Sequence, residues 1–98
     1  MHVVISEPAI DDLGAIVAFV AQRDREAAAR LGHELVDACL DIGELPARFH
    51  VSEVVDGVEF RRRNVRTWAI LFRIDEDAVR IVTIRSGRLP MSRRSPRT

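Results

Sequence analysis

Residues 57–90 contain two apolar runs joined by an acidic triplet and preceded by three arginines, and this stretch constrains the fold more than any other part of the chain. In the first run the large side chains recur with a period of two, which is the spacing of a β-strand: Trp68, Ile70, Phe72 and Ile74 alternate with Ala69, Leu71 and Arg73. A second run, from 79 to 84, is dominated by β-branched residues, which favour a strand over a helix. The acidic triplet 75–77 interrupts the apolar pattern where a hairpin turn is expected. This stretch therefore predicts a β-hairpin, preceded by an arginine-rich strand over residues 58–65.

Strict alternation also predicts which face of the sheet each side chain occupies. In the arginine-rich strand it places Arg61 and Arg63 on one face and Arg62 on the other. In the last strand it predicts that three residues lie on one face and the three residues between them on the other. The first face carries Val79, Ile81 and Thr83, and the second carries Arg80, Val82 and Ile84. Trp68, which opens the strand between these two, is predicted to anchor the core rather than to stack on nucleic-acid bases.

The first half of the chain predicts one short strand and two amphipathic helices. Residues 2–6 are apolar and β-branched, and Ser6 is a suitable N-cap for the helix that follows. Apolar residues then recur at three- and four-residue spacing, which indicates one buried helix face. Asp24 is a plausible cap for a second helix over residues 25–42, and Gly43 is a stop signal. So short a connection predicts that the two helices form an antiparallel αα-hairpin.

The predicted order of elements is β-α-α-β-β-β. Residues 44–57 have no clean period and are predicted to form a loop with one turn or a short edge strand. The fold class is therefore α+β, with two layers: an antiparallel sheet packed against an N-terminal αα-hairpin. Residues 1–90 are predicted to form a single domain, and the Ser-, Pro- and Arg-rich residues 91–98 a flexible basic tail.

The net charge of zero conceals a strong asymmetry along the chain. Residues 1–57 carry eleven acidic side chains and four arginines, a net charge of −7, whereas residues 58–98 carry four acidic side chains and eleven arginines, a net charge of +7. One end of the molecule should therefore attract an acidic partner or a nucleic acid. A single cysteine, the lack of a secretion signal and the lack of a long apolar run predict a cytoplasmic protein that does not enter a membrane.

Neither a metal site nor a catalytic carboxylate pair is predicted from the titratable residues. The three histidines are scattered and no two have the spacing of metal ligands, so no metal or cofactor is expected. Cys39 falls on the apolar stripe of the second helix and is expected to be a core residue rather than a nucleophile. Four helix aspartates are predicted to lie on solvated faces: Asp11, Asp12, Asp37 and Asp41.

Three groups of residues, in this order and spacing, resemble the RelE/ParE superfamily, the toxins of type II toxin–antitoxin modules. They are Ser6, Pro8, Ala9, Asp12 and Leu13; then Arg61 to Arg63, Trp68, Ile70, Phe72 and Ile74; then Val79, Ile81, Ser86, Gly87 and Arg88. The resemblance covers nearly all of residues 3–90. It implies a toxin that arrests growth, as in plasmid-stabilising modules, and that is neutralised by a cognate antitoxin protein.

The resemblance leaves two modes of action to be weighed, and it favours the ParE-like one. RelE-like members are ribosome-dependent messenger RNA endoribonucleases, which use basic residues and proton-transfer groups. Here Ala69 stands where such members commonly carry a basic residue, and the chain has neither lysine nor tyrosine. ParE-like members inhibit DNA gyrase without a catalytic site of their own. In this chain Arg85 takes the place of their usual histidine, and Trp68 that of their usual tyrosine. The alternatives are a RelE-like ribonuclease and a non-toxic relative that only binds its partner.

Six arginines of the C-terminal half are candidate target- or partner-binding residues: Arg61, Arg63, Arg73, Arg80, Arg85 and Arg88. The competing interpretation of residues 61–63 is a solvated edge strand that charge protects from aggregation. Arg85 and Arg88 match the region where the superfamily carries functional residues, and could instead pair with Glu59 or with the antitoxin. No catalytic residue is assigned.

Overall fold

The computed structural model describes residues 1–87, in which two helices pack on one face of a five-stranded sheet. The elements in chain order are β1 (His2–Ile5), α1 (Glu7–Ala21), α2 (Arg25–Ile42), a 3-10 turn (Pro46–Arg48), β2 (Val51–Val55), β3 (Val58–Val65), β4 (Trp68–Asp75) and β5 (Ala78–Ser86). The predicted two-layer α+β class with a helical hairpin is confirmed. The predicted tail, residues 91–98, lies outside the described residues.

The sheet is mixed, with the strand order β1-β5-β4-β3-β2. Strands β2 to β5 form an antiparallel meander, but β1 runs parallel to β5. The prediction of a wholly antiparallel sheet is therefore wrong for this one pair. The helical hairpin connects β1, at one edge of the sheet, to β2 at the other edge. The meander then crosses the sheet strand by strand, and its last strand, β5, lies beside β1 and runs in the same direction. The predicted element order also lacked β2. For residues 44–57 the prediction was a loop with one turn or a short edge strand, and the structure has both a turn and an edge strand there.

Local signals in the sequence account for the helix boundaries. The Ser6 hydroxyl accepts a hydrogen bond from the backbone N–H of Ala9 at 3.2 Å, and the Asp24 carboxylate accepts one from Ala27 at 3.0 Å. Helix α2 ends at Ile42, as predicted. Gly43 keeps an ordinary helical φ of −62°, so it does not serve as a left-handed cap. Neither helix is long and apolar enough to cross a membrane, within the part of the chain that the structure describes.

Three two-residue turns connect the strands of the meander. The first contains Asp56 and Gly57 with φ values of 53° and 79°, as a hairpin turn of the primed type requires. Arg66 begins the second turn at φ 56°, and Glu76 begins the third at φ 48°. The predicted acidic turn between the last two strands is confirmed. Each turn is so tight that the register of the strands is fixed across the sheet.

One apolar core lies between the helices and the sheet. Its fully buried side chains come from both layers, and Phe72 at its centre contacts Phe49 edge-on with ring centroids 5.8 Å apart. Cys39 is 1% exposed and belongs to this core, which confirms the prediction of a core residue. Trp68 is half-buried and packs against the same core, which confirms its predicted role as an anchor.

A β-bulge in β5 breaks the alternation that the sequence predicts. Leu71 pairs with Thr83 whereas the next residue of β4, Phe72, pairs with Ile81, so Val82 is an extra residue on β5. An extra residue reverses the face of every side chain that follows it. The sequence of β5 carries a trace of this insertion, because apolar Val82 directly follows apolar Ile81 and the alternation resumes one residue out of phase.

The bulge brings Ile84 into the core. Ile84 lies opposite Ile70, is 3% exposed and shares the core cluster with Ile81. The prediction that Ile84 shares a face with Arg80 is therefore wrong. The prediction that Thr83 shares the face of Ile81 is wrong for the same reason.

Beyond the end of β1, the edge of β5 forms hydrogen bonds with side chains of α1 and of its N-cap residue. The Ser6 hydroxyl donates to the carbonyl of Val82 at 3.2 Å. The Asp12 carboxylate accepts hydrogen bonds from the Thr83 hydroxyl at 2.6 Å and from the backbone N–H of Ile84 at 3.0 Å. The prediction that Asp12 lies on a solvated helix face is wrong, because this carboxylate takes the place of a missing strand neighbour.

Candidate functional site

The register of the sheet divides the arginines between its two faces. Residues directly opposite one another share a face, and Phe72 and Ile70 point toward the helices. Arg61 lies opposite Phe72 and Arg63 opposite Ile70, so both start from the helix-facing side. We call the other side, which points away from α1 and α2, the distal face. Four arginines occupy it by register: Arg62, Arg73, Arg80 and Arg85.

Arg61 holds the segment before β2 against the sheet. Its guanidinium donates to the backbone carbonyls of Phe49 and Ala47, and its side chain is only 19% exposed. The nearest carboxylate, that of Glu59, lies 3.7 Å away and is itself largely exposed. These contacts engage most of the guanidinium inside the molecule, where it satisfies carbonyls that have no strand partner.

Arg63 ties β3 to the C-terminal end of α2. Its Nη1 atom lies 3.0 Å from the carbonyl oxygen of Ala38 and 2.9 Å from Oδ2 of Asp41. Arg48 approaches the same carboxylate oxygen, also at 2.9 Å. Both guanidinium groups lie over the ring of Phe49, at 4.7 Å for Arg48 and 5.4 Å for Arg63. A cation beside the last carbonyls of a helix also interacts favourably with its dipole.

The Asp41 carboxylate is the centre of this contact. Hydrogen bonding from Arg63 is the main cause that holds the pKa of Asp41 below its ordinary value, and the charge of Arg48 acts in the same direction. The prediction that Asp41 lies on a solvated face is therefore wrong in part: its side chain is 44% exposed but carries two ion pairs. Asp41, Arg48 and Arg63 together fix the 3-10 turn and the edge of the sheet to α2.

On the distal face, Arg73 and Arg80 lie directly opposite one another on β4 and β5. Both approach the carboxylate of Asp75, with Nε of Arg80 at 2.8 Å from Oδ2 and Nη2 of Arg73 at 3.8 Å. Hydrogen bonding from Arg80 is the main cause that lowers the pKa of Asp75. One carboxylate cannot neutralise two guanidinium groups, so this pair keeps a net positive charge. The side chains of Arg73 and Arg80 are 37% and 45% exposed.

Arg62 is the residue of this face that the sequence analysis did not select. It lies opposite Leu71, and its Nε donates to the side-chain oxygen of Asn64 at 2.9 Å. Its Nη2 donates to the carbonyl of Gly87 at the end of β5, so the side chain reaches across the sheet. Alternation had already placed Arg62 on the opposite face of the sheet from Arg61 and Arg63. That placement was the signal that could have selected Arg62, but the sequence did not show which face carried the other exposed arginines.

The remaining two candidates lie at or beyond the end of β5. Arg85 lies on the distal face, half-buried and opposite Ala69. Arg88 lies outside the described residues. The structure thus brings Arg73, Arg80 and Arg85 to one face and separates Arg61 and Arg63 from them. Their roles as contact residues stay predictions, but Arg61 and Arg63 also join the sheet to the segment before β2 and to α2.

An open groove of about 740 Å³ lies between α2 and β3. Its floor contains Ala38 and Val65, and charged side chains line its walls: Arg30, His33, Glu34, Asp37, Asp41 and Arg63. Two of its carboxylates form ion pairs, Asp41 with Arg63 and Glu34 with Arg66 at 2.8 Å. The groove therefore presents balanced, mostly paired charge rather than a single strong field.

The chemistry available on the distal face is binding rather than proton transfer. Arginine is always protonated, so it can hold a carboxylate or a phosphate but cannot act as a general base. Asp75 has a lowered pKa, whereas a general base is most effective when its pKa lies near the working pH. Among residues 1–87, no group of three or more histidine, cysteine, aspartate or glutamate side chains is placed to hold a metal ion.

Comparisons with known proteins agree with this fold. The sequence model described as the ParE toxin of type II toxin–antitoxin system, parDE, matches residues 3–89. A solved structure described as the chromosomal ParDE TA system from P. aeruginosa superimposes with a TM-score of 0.72 at 19% sequence identity. That alignment covers 88% of this chain and 95% of the other. No curated protein matches the chain.

Proposed function

This chain belongs to the family of ParE toxins of type II toxin–antitoxin systems, and we propose that it inhibits DNA gyrase by binding and is neutralised by a cognate antitoxin. The observation that carries the proposal is the set of arginines on the distal face, which is equipped to bind but not to transfer protons. Fold alone would not support a target, since one fold serves many functions. The proposed place of action is the cytoplasm.

Arg73 and Arg80 are the residues we propose to contact the target first. They lie side by side, project from adjacent strands and share one carboxylate, so a carboxylate of the target could replace Asp75 at either guanidinium. Charge on an exposed face also accelerates the encounter with an acidic surface. Arg85, at the far end of the same strand, would extend the contact.

Exposed apolar side chains support the proposal of an antitoxin partner. On the helices and the loop after them, four large apolar residues are more than half exposed: Ile10, Phe19, Leu40 and Leu45. Single exposed residues are normal, but a partner that folds on binding would gain by covering them. Such a partner would neutralise the toxin without contacting the distal face, because toxin held in a complex is kept away from its target.

The experiment that tests the function is induction of the chain alone, followed by an assay for gyrase-linked double-strand DNA breaks. Breaks that disappear on co-expression of the protein encoded beside this chain are the expected result. The matched variants are R73Q/R80Q, which removes two distal-face charges, and R23Q/R25Q, which removes two exposed charges between the helices. The first pair should lose the breaks and the second should keep them.

Two other results would contradict the proposal and point elsewhere. Growth arrest with intact DNA would exclude gyrase as the target and direct attention to messenger RNA on ribosomes, the RelE-like alternative. Normal growth at verified expression would indicate a relative that binds its partner without toxicity.

A further inference from the structure

We propose that the β3–β4 turn, together with the end of β5, binds a phosphate group in an opening of about 290 Å³ that we call the turn site. Five residues of the described chain line it: Arg62, Asn64, Arg66, Thr67 and Gly87. The class of ligand that we infer is a phosphate monoester, with inorganic phosphate as its simplest form. The inference does not depend on gyrase as the target, because the turn site and Arg73 lie at opposite ends of β4.

The turn site carries positive charge, and none of the described residues that line it is acidic. Two of these residues, Arg62 and Arg66, have guanidinium groups, which stay protonated. Arg62 donates to two neutral oxygens, Oδ1 of Asn64 at 2.9 Å and the carbonyl of Gly87, so neither contact cancels its charge. The carboxylate of Asp75 is at the far end of β4, whose 8 residues span about 23 Å, well beyond the Debye length of about 8 Å.

Arg66 forms one ion pair, which leaves most of its donors available. Its Nε atom lies 2.8 Å from Oε1 of Glu34, and the two side chains are 67% and 41% exposed. An ion pair this exposed contributes little to stability, because water and salt screen it. A guanidinium has five N–H donors, and the contact with Glu34 uses the one on Nε. A phosphate oxygen can therefore bind the other donors of Arg66 while the contact with Glu34 stays.

Gly87 fixes the geometry of the turn site from the end of β5. Its N–H donates to the carbonyl of Thr67 at 2.7 Å, and its own carbonyl accepts a hydrogen bond from Nη2 of Arg62. A Cβ at position 87 would lie 3.1 Å from the Thr67 oxygen and 3.3 Å from that Arg62 nitrogen. Both distances are shorter than ordinary van der Waals contacts, so a larger residue would push the turn and the guanidinium apart. The site is held in place before a ligand arrives, which lowers the entropic cost of binding.

The number of donors favours a phosphate over a carboxylate. A carboxylate is planar with two oxygens, which a single guanidinium fork satisfies. A phosphate monoester has three terminal oxygens and a charge of about −1.5 to −2 at pH 7, which matches two guanidinium groups. Two neutral donors also line the opening, the side-chain amide of Asn64 and the hydroxyl of Thr67. The opening is several times larger than the roughly 30 Å³ that one water molecule occupies, so part of the molecule that carries the phosphate fits as well.

The test is a titration of the isotope-labelled 98-residue chain with inorganic phosphate, O-phosphoserine and acetate, followed by amide NMR spectra at constant ionic strength. We expect saturable shifts at the amides of residues 62–67 and 87, and smaller shifts at the turn formed by residues 76 and 77. The expected Kd is about 1 mM or tighter for both phosphates and about tenfold weaker for acetate. Binding of either phosphate supports the proposal, and the tighter of the two identifies the free ion or the monoester as the preferred form.

Matched variants separate the turn site from general charge. R62Q/R66Q removes both guanidinium groups and should weaken phosphate binding about tenfold or more. R73Q/R80Q removes the same charge from the other end of β4 and β5 and should leave the Kd within about twofold. Because Arg62 also joins β3 to the end of β5, thermal melting checks that each variant is folded. R66Q changes only an exposed side chain, so it should melt like the original chain and still weaken binding about threefold or more.

Several results would overturn the inference. These are no saturable shift with either phosphate, equal losses of affinity in R62Q/R66Q and R73Q/R80Q, or unchanged affinity in folded R66Q. Acetate binding as tight as that of phosphate would identify a carboxylate site instead. Shifts confined to residues 73–80 would place the anion at the end of the sheet that contains Asp75. Each of these results would leave the proposed function untouched, because that function is tested by DNA breaks in R73Q/R80Q.

Discussion

The Asp12 carboxylate accepts the backbone N–H of Ile84 at 3.0 Å, so a residue of the first helix completes the hydrogen bonding of the last strand. Strand β1 pairs with β5 only as far as Ile81, and Asp12 occupies the edge just beyond it. The contact joins residues 72 positions apart in the chain. It fixes the helix against the segment of β5 that follows the bulge.

The first prediction concerns this contact. D12A removes the acceptor for the Thr83 hydroxyl and the Ile84 N–H, and should lower the free energy of unfolding by about 1–3 kcal/mol, the cost of unsatisfied polar groups. The measurement is urea denaturation followed by circular dichroism. D11A, at the exposed neighbouring position, should change stability by less than about 0.5 kcal/mol. Equal effects of the two substitutions would show that the contact contributes nothing.

The second prediction concerns the pH dependence of the Asp41 ion pairs. The pKa of Asp41 is lowered from 3.8, so its charged form stabilises the folded state. This contribution is present above about pH 4 and is lost as the pH falls through the lowered pKa. D41N should therefore be less stable than the original chain at pH 7, and the difference should shrink below pH 3.8. D37N, one turn earlier on α2, is the control, because it removes a carboxylate charge from the same helix and leaves both ion pairs of Asp41 in place. A difference for D41N that stays constant down to pH 2.5 would contradict the assignment.

The third prediction contrasts two glycines under the same substitution. A Cβ at position 43 would lie 2.5 Å from the carbonyl oxygen of Met1 and 2.7 Å from a methyl group of Val3, so G43A should destabilise the fold by about 1–3 kcal/mol. Gly14 has no atom within 4 Å of that position, so G14A should stabilise α1 by about 0.5–1 kcal/mol. Thermal melting of both variants measures the two signs. A neutral G43A would mean that β1 moves freely away from the end of α2.

The fourth prediction concerns the reactivity of Cys39. Burial raises the pKa of this thiol from 9.0 to about 11, so it stays protonated at pH 8 and should not react with a disulfide reagent in the folded protein. The neutral thiol favours the folded state fully below pH 9.0, and this contribution declines as the pH rises toward 11. Reaction in urea should be rapid, and C39A should show none. Rapid labelling without urea would mean that α2 opens readily.

The fifth prediction separates the contact role of Arg80 from the structural role of Arg61. R80Q removes an exposed charge and should change stability by less than about 0.5 kcal/mol while reducing gyrase-linked DNA breaks. R61Q leaves the carbonyls of Ala47 and Phe49 without their donor and should cost about 1–3 kcal/mol. Melting temperatures and break assays on the same two variants measure both effects. A large loss of stability in R80Q would refute this division of roles.

Much of the architecture followed from local patterns. The caps Ser6 and Asp24, the end of α2 and the acidic turn before β5 were predicted, because each depends on the side chains and backbone of a few neighbouring residues. The layer arrangement followed as well, since two amphipathic helices and an alternating sheet can bury their apolar faces only against each other. The charge asymmetry and the family resemblance came from the sequence in the same way.

The partners of the arginines were decided by tertiary structure. In the sequence, alternation separates Arg62 from Arg61 and Arg63, but it does not say which of the two faces meets the helices. In the fold, the first and third meet backbone carbonyls and Asp41, and the second crosses to the opposite face. These partners come from elements 12 to 25 residues away, so no local pattern could contain them.

The bulge at Val82 is a case that the sequence by itself left open. Alternation is a rule for an uninterrupted ladder, and β5 breaks it where apolar Val82 directly follows apolar Ile81, which does not show whether Val82 is an extra residue or a buried residue of the other face. Packing decides for the bulge, because Ile84 gains burial against the helices and α1 supplies Asp12 to the displaced edge. The sequence determined which segments become strands and helices, through propensities and periods that act over a few residues. The tertiary structure decided which side chains of those segments reach the core and which remain for a partner, since only the folded chain brings the competing partners together.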